Sequence, residues 1–186
     1  FESRMKGIID ECKNYGNINI KNQNQFYSYA GLGGIVGTNS AMTTISSCEN
    51  YGIIGNGNNN TSTGGIIGCI NGLAKIDNCI NYANVISSFS SGGIVGIHRT
   101  GEDVKIFNCC NLEDLESTGG IIGDSNLPGY SNIGNCYIEN CYNIGKVKQG
   151  GILGTMGGYA YKELNVYINN CYNAGEITGT TKGGII

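Results

Sequence analysis

The chain has 186 residues, a formal net charge of −3 and only 13% charged residues; this excludes a nucleic-acid binder, because phosphate recognition needs a stripe of Lys and Arg. Its 32 glycines, single proline and abundance of Ile, Val, Tyr and Asn exclude a charge-rich disordered chain and predict short strands joined by tight turns. No apolar run is long enough to cross a membrane as a helix.

Two motifs alternate along the chain. The first copy sets Ile9, Cys12, Asn14 and Ile18 at fixed spacing, and a loop carrying Phe26, Tyr27 and Tyr29 leads to Gly33-Gly34-Ile35-Val36-Gly37. The second copy has Ile45, Cys48, Asn50 and Ile54, then a glycine pair at Gly64. The third has Ile76, Cys79, Asn81 and Val85, then Gly92. The fourth has Ile106, Cys109, Asn111 and Leu115, then Gly119. The fifth has Ile138, Cys141, Asn143 and Val147, then Gly150. The sixth has Ile168, Cys171, Asn173 and Ile177, then Gly183.

Successive cysteines of this column lie 36, 31, 30, 32 and 30 residues apart. Apolar residues come in runs of two to four bounded by Gly or Asn, which is a strand signature without helical period. A repeat of about thirty residues with three short strands and no helix predicts a right-handed parallel β-helix (β-solenoid) of about six coils, the hand taken from the prevalence of right-handed crossovers. Inward Ile, Val and Cys columns would form the core. The Asn column is expected at a turn, with each amide bonding the Asn of the next coil. The glycine pair is expected to make a sharp corner before the aliphatic strand.

Residues 1–186 read as a single repeat array. The chain starts without a methionine and ends within a repeat, so it reads as an excerpt of a longer protein, with any signal or anchor elsewhere.

The pattern Gly-Gly-Ile-Val-Gly followed by Ile-x-Asn-Cys-Tyr-Asn-x-Gly-x-Val resembles the GLUG repeat. Its best copies run Ile138 to Val147 and Ile168 to Ile177, and it departs most in the fourth coil, where Glu113 replaces Gly and Cys110 follows Cys109. The resemblance implies an exported bacterial surface protein, adhesin-like, extracellular or at the cell surface, and carries no catalytic residues. Its implied partners are a host or matrix protein or a glycan.

Nine cysteines in an exported chain would ordinarily suggest disulfides. Here Cys12, Cys48, Cys79, Cys109, Cys141 and Cys171 share one column about a strand spacing apart, so they are expected to pack as free thiols. With one histidine and no Cys-x-x-Cys pair, neither a metal site nor any other cofactor is expected. The insertions from Asp124 to Tyr137 and from Thr155 to Tyr167 single out Tyr130, Tyr159 and Tyr161 as candidate ligand-binding residues; covering the ends of the core is their plainer role.

An enzyme would need clustered carboxylates, and the best set is Glu102, Asp103, Glu113, Asp114 and Glu116 with His98 and Arg99 nearby in sequence. Carboxylates adjacent in a strand point to opposite faces, so a solvated edge is the favoured reading and no enzyme is expected. The expected function is a rigid stalk or adhesive surface. The alternatives are a carbohydrate-binding or carbohydrate-cleaving β-helix and an extracellular fibre subunit assembling end to end.

Overall fold

A computed structural model describes residues 5–20, 30–57, 61–125, 134–157 and 165–186. Within these the chain is all-β and every strand pairing is parallel, each strand bonding to one a repeat away. The result is a parallel β-solenoid of about four full turns with ~31 residues per turn. The six sequence copies overcount the turns slightly, because the first and last copies each pair on one side only.

Two sheets carry six strands each. The isoleucine sheet stacks Lys6–Asp10, Met42–Ser46, Ala74–Asp77, Val104–Phe107, Asn135–Glu139 and Asn165–Asn169, with the six column isoleucines in register. The asparagine sheet stacks the two-residue strands Lys13–Asn14, Glu49–Asn50, Ile80–Asn81, Cys110–Asn111, Tyr142–Asn143 and Tyr172–Asn173. A five-stranded aliphatic sheet follows each glycine pair: Val36–Asn39, Ile67–Ile70, Val95–His98, Ile122–Ser125 and Leu153–Met156. A shorter row precedes the pair, with strands Gly31–Gly33, Ser62–Gly64 and Ser91–Gly92, and continues as single pairings through Gly119, Gly150 and Gly183. Each turn therefore holds four strand segments, one more than the sequence suggests, because the glycine pair splits a strand in two.

The core has a main column and a smaller, separate cluster of Val85, Leu115 and Val147. Ile45, Ile76, Ile106 and Ile138 and the thiols Cys48, Cys79, Cys109 and Cys141 are fully buried, packed against Ile66, Ile67, Ile94, Val95, Ile121, Ile122, Ile152 and Leu153. Removing this apolar surface from water, at roughly 25 cal/mol per Å2, is the main force holding the coils together.

The glycine pair works by close approach rather than by a left-handed corner. A Cβ added at Gly65 would fall on the Gly93 carbonyl oxygen and 2.5 Å from the Asn81 amide carbon; at Gly120 it would strike the Gly151 carbonyl and lie 2.6 Å from Asn143. In the first five pairs the second glycine thus lies directly on the asparagine column, which is why the two motifs recur together.

Left-handed geometry falls elsewhere too. It belongs not to the asparagine column but to the residue before each column cysteine: Glu11, Ser47, Asn78, Asn108, Asn140 and Asn170, at φ of 50 to 54°. Asn recurs there because it tolerates this region better than other side chains with a Cβ. The resulting turn aims the carbonyl two residues before each cysteine at its thiol, as in Cys109 Sγ donating to Phe107 O at 3.0 Å and Cys48 Sγ to Ser46 O at 3.1 Å.

The column asparagines instead sit inside. Asn50, Asn81, Asn111 and Asn143 are fully buried. Each donates to the next asparagine, at 2.9 Å from Asn50 to Asn81, 2.8 Å from Asn81 to Asn111 and 2.7 Å from Asn111 to Asn143. Each also donates to the carbonyl two residues on. Buried amides are stable only when satisfied in this way.

Candidate binding face

Because each column asparagine points inward, the residues on either side point out. One outward row of the asparagine sheet is Lys13, Glu49, Ile80, Cys110, Tyr142 and Tyr172. The row beside it begins Tyr15, Tyr51, Tyr82. Coil stacking turns repeated tyrosines into ring stacks: Tyr15–Tyr51 at 5.0 Å, Tyr51–Tyr82 at 4.7 Å and Tyr142–Tyr172 at 5.1 Å between centroids, with planes within 10° of parallel. These spacings match the coil rise of about 4.8 Å.

The isoleucine sheet carries a further stack. Tyr137 and Tyr167 lie in register between inward residues, with centroids 4.9 Å apart and Lys105 Nζ 5.8 Å from the Tyr137 ring. Between this stack and Tyr142–Tyr172 runs the left-handed turn, where an exposed amide ladder forms. Asn170 Nδ2 donates to Asn140 Oδ1 at 2.7 Å, Asn140 Nδ2 to Asn108 Oδ1 at 3.3 Å, and Asn108 Nδ2 to Asp77 Oδ1 at 2.9 Å. Two tyrosine stacks therefore flank a row of amides on one corner of the solenoid. Tyr167 and Tyr172 are 44% and 53% exposed.

Two of the phenols are held neutral by their partners. Tyr142 is pushed up to about 12 by its hydrogen bond with the Cys110 thiol, and Tyr51 to about 12 by donation to the Glu49 carboxylate. Glu49 is also 3.0 Å from Lys13 Nζ, which closes the other end of the same face with an ion pair. The corner presents rigid aromatic edges, hydroxyls and amides, a composition suited to adaptable hydrogen bonding at low entropy cost.

Of the sequence candidates, Tyr130, Tyr159 and Tyr161 lie outside the described residues, as do Phe26, Tyr27 and Tyr29. Tyr137 and Tyr167 are strand residues rather than loop residues. The stacks at Tyr15, Tyr51, Tyr82 and at Tyr142, Tyr172 escaped the sequence reading, although Tyr recurs one or three residues after the column cysteine, on the opposite parity to the inward Cys and Asn.

The carboxylates serve the coil edges. Asp103 Oδ1 accepts from the backbone and the side chain of Asn135, both at 3.0 Å, and Asp114 Oδ1 accepts from the Lys146 amide at 2.9 Å. Asp103 precedes a strand of the isoleucine sheet whereas Glu113 and Asp114 follow one of the asparagine sheet, so the sequence cluster is divided between two sheets. His98 is fully buried, with Nδ1 3.1 Å from Ser125 Oγ, and burial holds its pKa down to about 4. Among the described residues, no three His, Cys, Asp or Glu side chains converge as metal ligands would.

All nine cysteines are free thiols. Burial pushes Cys48 and Cys69 up to about 11 and Cys136 to about 12, so these are inert. Within the column the thiols also meet one another: Cys109 is raised by burial, whereas Cys141 is held down by the thiols of Cys109 and Cys171.

No protein-family model matches the chain, and neither a curated protein nor a solved structure does.

Proposed function

We propose that this chain is a non-catalytic segment of an exported bacterial surface protein, a GLUG-type solenoid that serves as a rigid stalk with an adhesive corner. The observation that carries the reading is the pair of tyrosine stacks, Tyr137–Tyr167 and Tyr142–Tyr172, flanking the Asn108–Asn140–Asn170 ladder. Tyr137 and Tyr142 stand on strands paired on both sides and stack on Tyr167 and Tyr172 of the next strands, so binding would cost little conformational entropy. Tyrosine and asparagine together offer apolar edges and hydrogen bonds without fixed charge, which suits a glycan or a matrix protein. The division of the carboxylates between two sheets supports a non-catalytic role.

The test is an array of glycans and extracellular-matrix proteins probed with the chain and with a variant carrying Tyr137, Tyr142, Tyr167 and Tyr172 all changed to alanine. Circular dichroism establishes that the variant keeps its β signal. Binding by the parent and its loss in the folded variant is the expected result; binding unchanged in the variant would move the site off this corner.

A further inference from the structure

The tyrosine and amide rows repeat at the coil rise, and that pitch selects among ligands. Ring centroids stand 4.9 Å apart in Tyr137–Tyr167 and 5.1 Å apart in Tyr142–Tyr172, with the amide ladder of Asn108, Asn140 and Asn170 between them. A chain lying along these rows stays in step only if its own repeat is a multiple of about 4.8 Å. An extended strand presents like side chains every ~6.7 Å and is out of step at the next rung. An α-helix, at ~5.4 Å per turn, gains about 0.6 Å on each coil. A polyproline-II helix turns once in about 9.3 Å against about 9.6 Å for two coils, so it keeps step along the ladder. A second solenoid would keep step too, but its backbone groups are consumed in its own sheets.

The chemistry of the rows fits the same ligand. A side-chain amide has two N–H donors and two acceptor lone pairs. Asn140 spends one donor on Asn108 Oδ1 and one acceptor on Asn170 Nδ2; Asn108 spends one donor on Asp77 Oδ1. Both amides are exposed on inner coils, so each keeps an N–H for a ligand. Polyproline-II carbonyls make no internal hydrogen bonds and are free to accept it. The inner rings offer edges rather than faces. Tyr137 lies between Tyr167 and the Lys105 ammonium, and Tyr142 pairs with Cys110 on one side and stacks on Tyr172 on the other. A sugar ring finds no open aromatic face there, whereas proline-rich helices dock between aromatic side chains. Glu139 stands outward between Tyr137 and Asn140, without an ion pair among the described residues. It favours a ligand that carries a cation.

We propose that this corner takes a proline-rich polypeptide segment in the polyproline-II conformation, with a basic residue, laid along the solenoid axis. The inference rests on the adhesive reading of the corner and names its partner. Carbonyls facing the ladder accept from Asn108 and Asn140 Nδ2, the edges of Tyr137 and Tyr142 hold the prolines, and a Lys or Arg meets Glu139.

The probe is a fluorescein-labelled peptide repeating Pro-Pro-Lys, titrated with the folded chain and read by anisotropy. A Gly-Ser-Lys repeat of equal length and charge, an all-proline peptide and a β-1,4-linked glucose oligomer are the comparisons. The Pro-Pro-Lys repeat should bind, and bind more tightly than the other three. Asn108→Gly with Asn140→Gly keeps the left-handed backbone while removing the amides, and should weaken binding about tenfold; circular dichroism establishes that this variant is folded. Glu139→Gln should weaken the Pro-Pro-Lys repeat and leave the all-proline peptide unchanged. Equal binding of the Gly-Ser-Lys repeat, preference for the glucose oligomer, unchanged affinity in the folded glycine variant, or no binding of the Pro-Pro-Lys repeat would each overturn the proposal. A chain that binds arrayed ligands through its tyrosines but not this peptide would sink the partner alone; a chain that binds nothing on the array and no peptide would sink the adhesive reading with it.

Discussion

Replacing Asn81 by alanine removes an amide from the middle of the buried ladder. Its Nδ2 donates to Ala83 O at 2.7 Å and to Asn111 Oδ1 at 2.8 Å, and its Oδ1 accepts from Asn50 Nδ2 at 2.9 Å. Three hydrogen bonds at about 1 kcal/mol each are lost, and Asn111 Oδ1 is left facing a small void where its desolvation adds roughly 1 kcal/mol or more. The total is about 4 kcal/mol. Asn173, in the last rung, makes two such bonds, to Gly175 O at 2.8 Å and from Asn143 Nδ2 at 2.7 Å, and is only partly buried. Water replaces its partners, so Asn173→Ala should cost about 1 kcal/mol. Urea denaturation of the two variants beside the parent measures the difference. Equal losses, or a loss below about 1 kcal/mol for Asn81→Ala, would refute the view that the ladder is a cooperative buried network.

The left-handed column makes a second prediction. Asn140 sits at φ 54°, so Asn140→Gly should change stability by no more than a few tenths of a kcal/mol, whereas Asn140→Val should lose about 2 kcal/mol; similar denaturation midpoints for the two would contradict the assignment. His98 predicts a loss of stability in acid. Its pKa is about 4 in the folded chain against 6.5 when solvated, so the unfolded chain takes up the proton first as pH falls. Stability is unaffected above pH 6.5 and declines between 6.5 and 4, and the loss amounts to about 3 kcal/mol below that window. Comparing the parent with His98→Leu at pH 7.5 and pH 4 isolates this component; a parallel pH dependence in both proteins would show that His98 is not its source.

The solenoid was legible because its constraint is repetitive. Stacking forces like residues into columns, so Ile9 to Ile168 and Cys12 to Cys171 carry the fold on their spacing alone. What the spacing did not reveal was which residue of each turn adopts which backbone geometry. Asn14 and its equivalents looked like turn residues because Asn favours turns, yet the turn falls at Glu11, Ser47 and the four asparagines that follow in that column, two of six being other residue types. The glycine pairs likewise looked like corners, whereas what they provide is contact: Gly65 against Asn81 and Gly93 is a long-range approach that no local pattern encodes. The tyrosine stacks were illegible for a related reason. Attention to long insertions favoured Tyr130, Tyr159 and Tyr161, while the stacked tyrosines lie within the repeat itself, separated by about thirty residues and joined only when the coils stack.

The most direct test of an adhesive solenoid is the affinity of the folded chain for glycan and matrix ligands, measured beside its Tyr137, Tyr142, Tyr167 and Tyr172 to alanine variant. At least a tenfold loss of affinity in a variant that remains folded, about 1.4 kcal/mol, is the predicted result. Ligand binding of equal strength by parent and variant would contradict the placement of adhesion on this corner, and an absence of binding by the parent would contradict adhesion by this segment altogether.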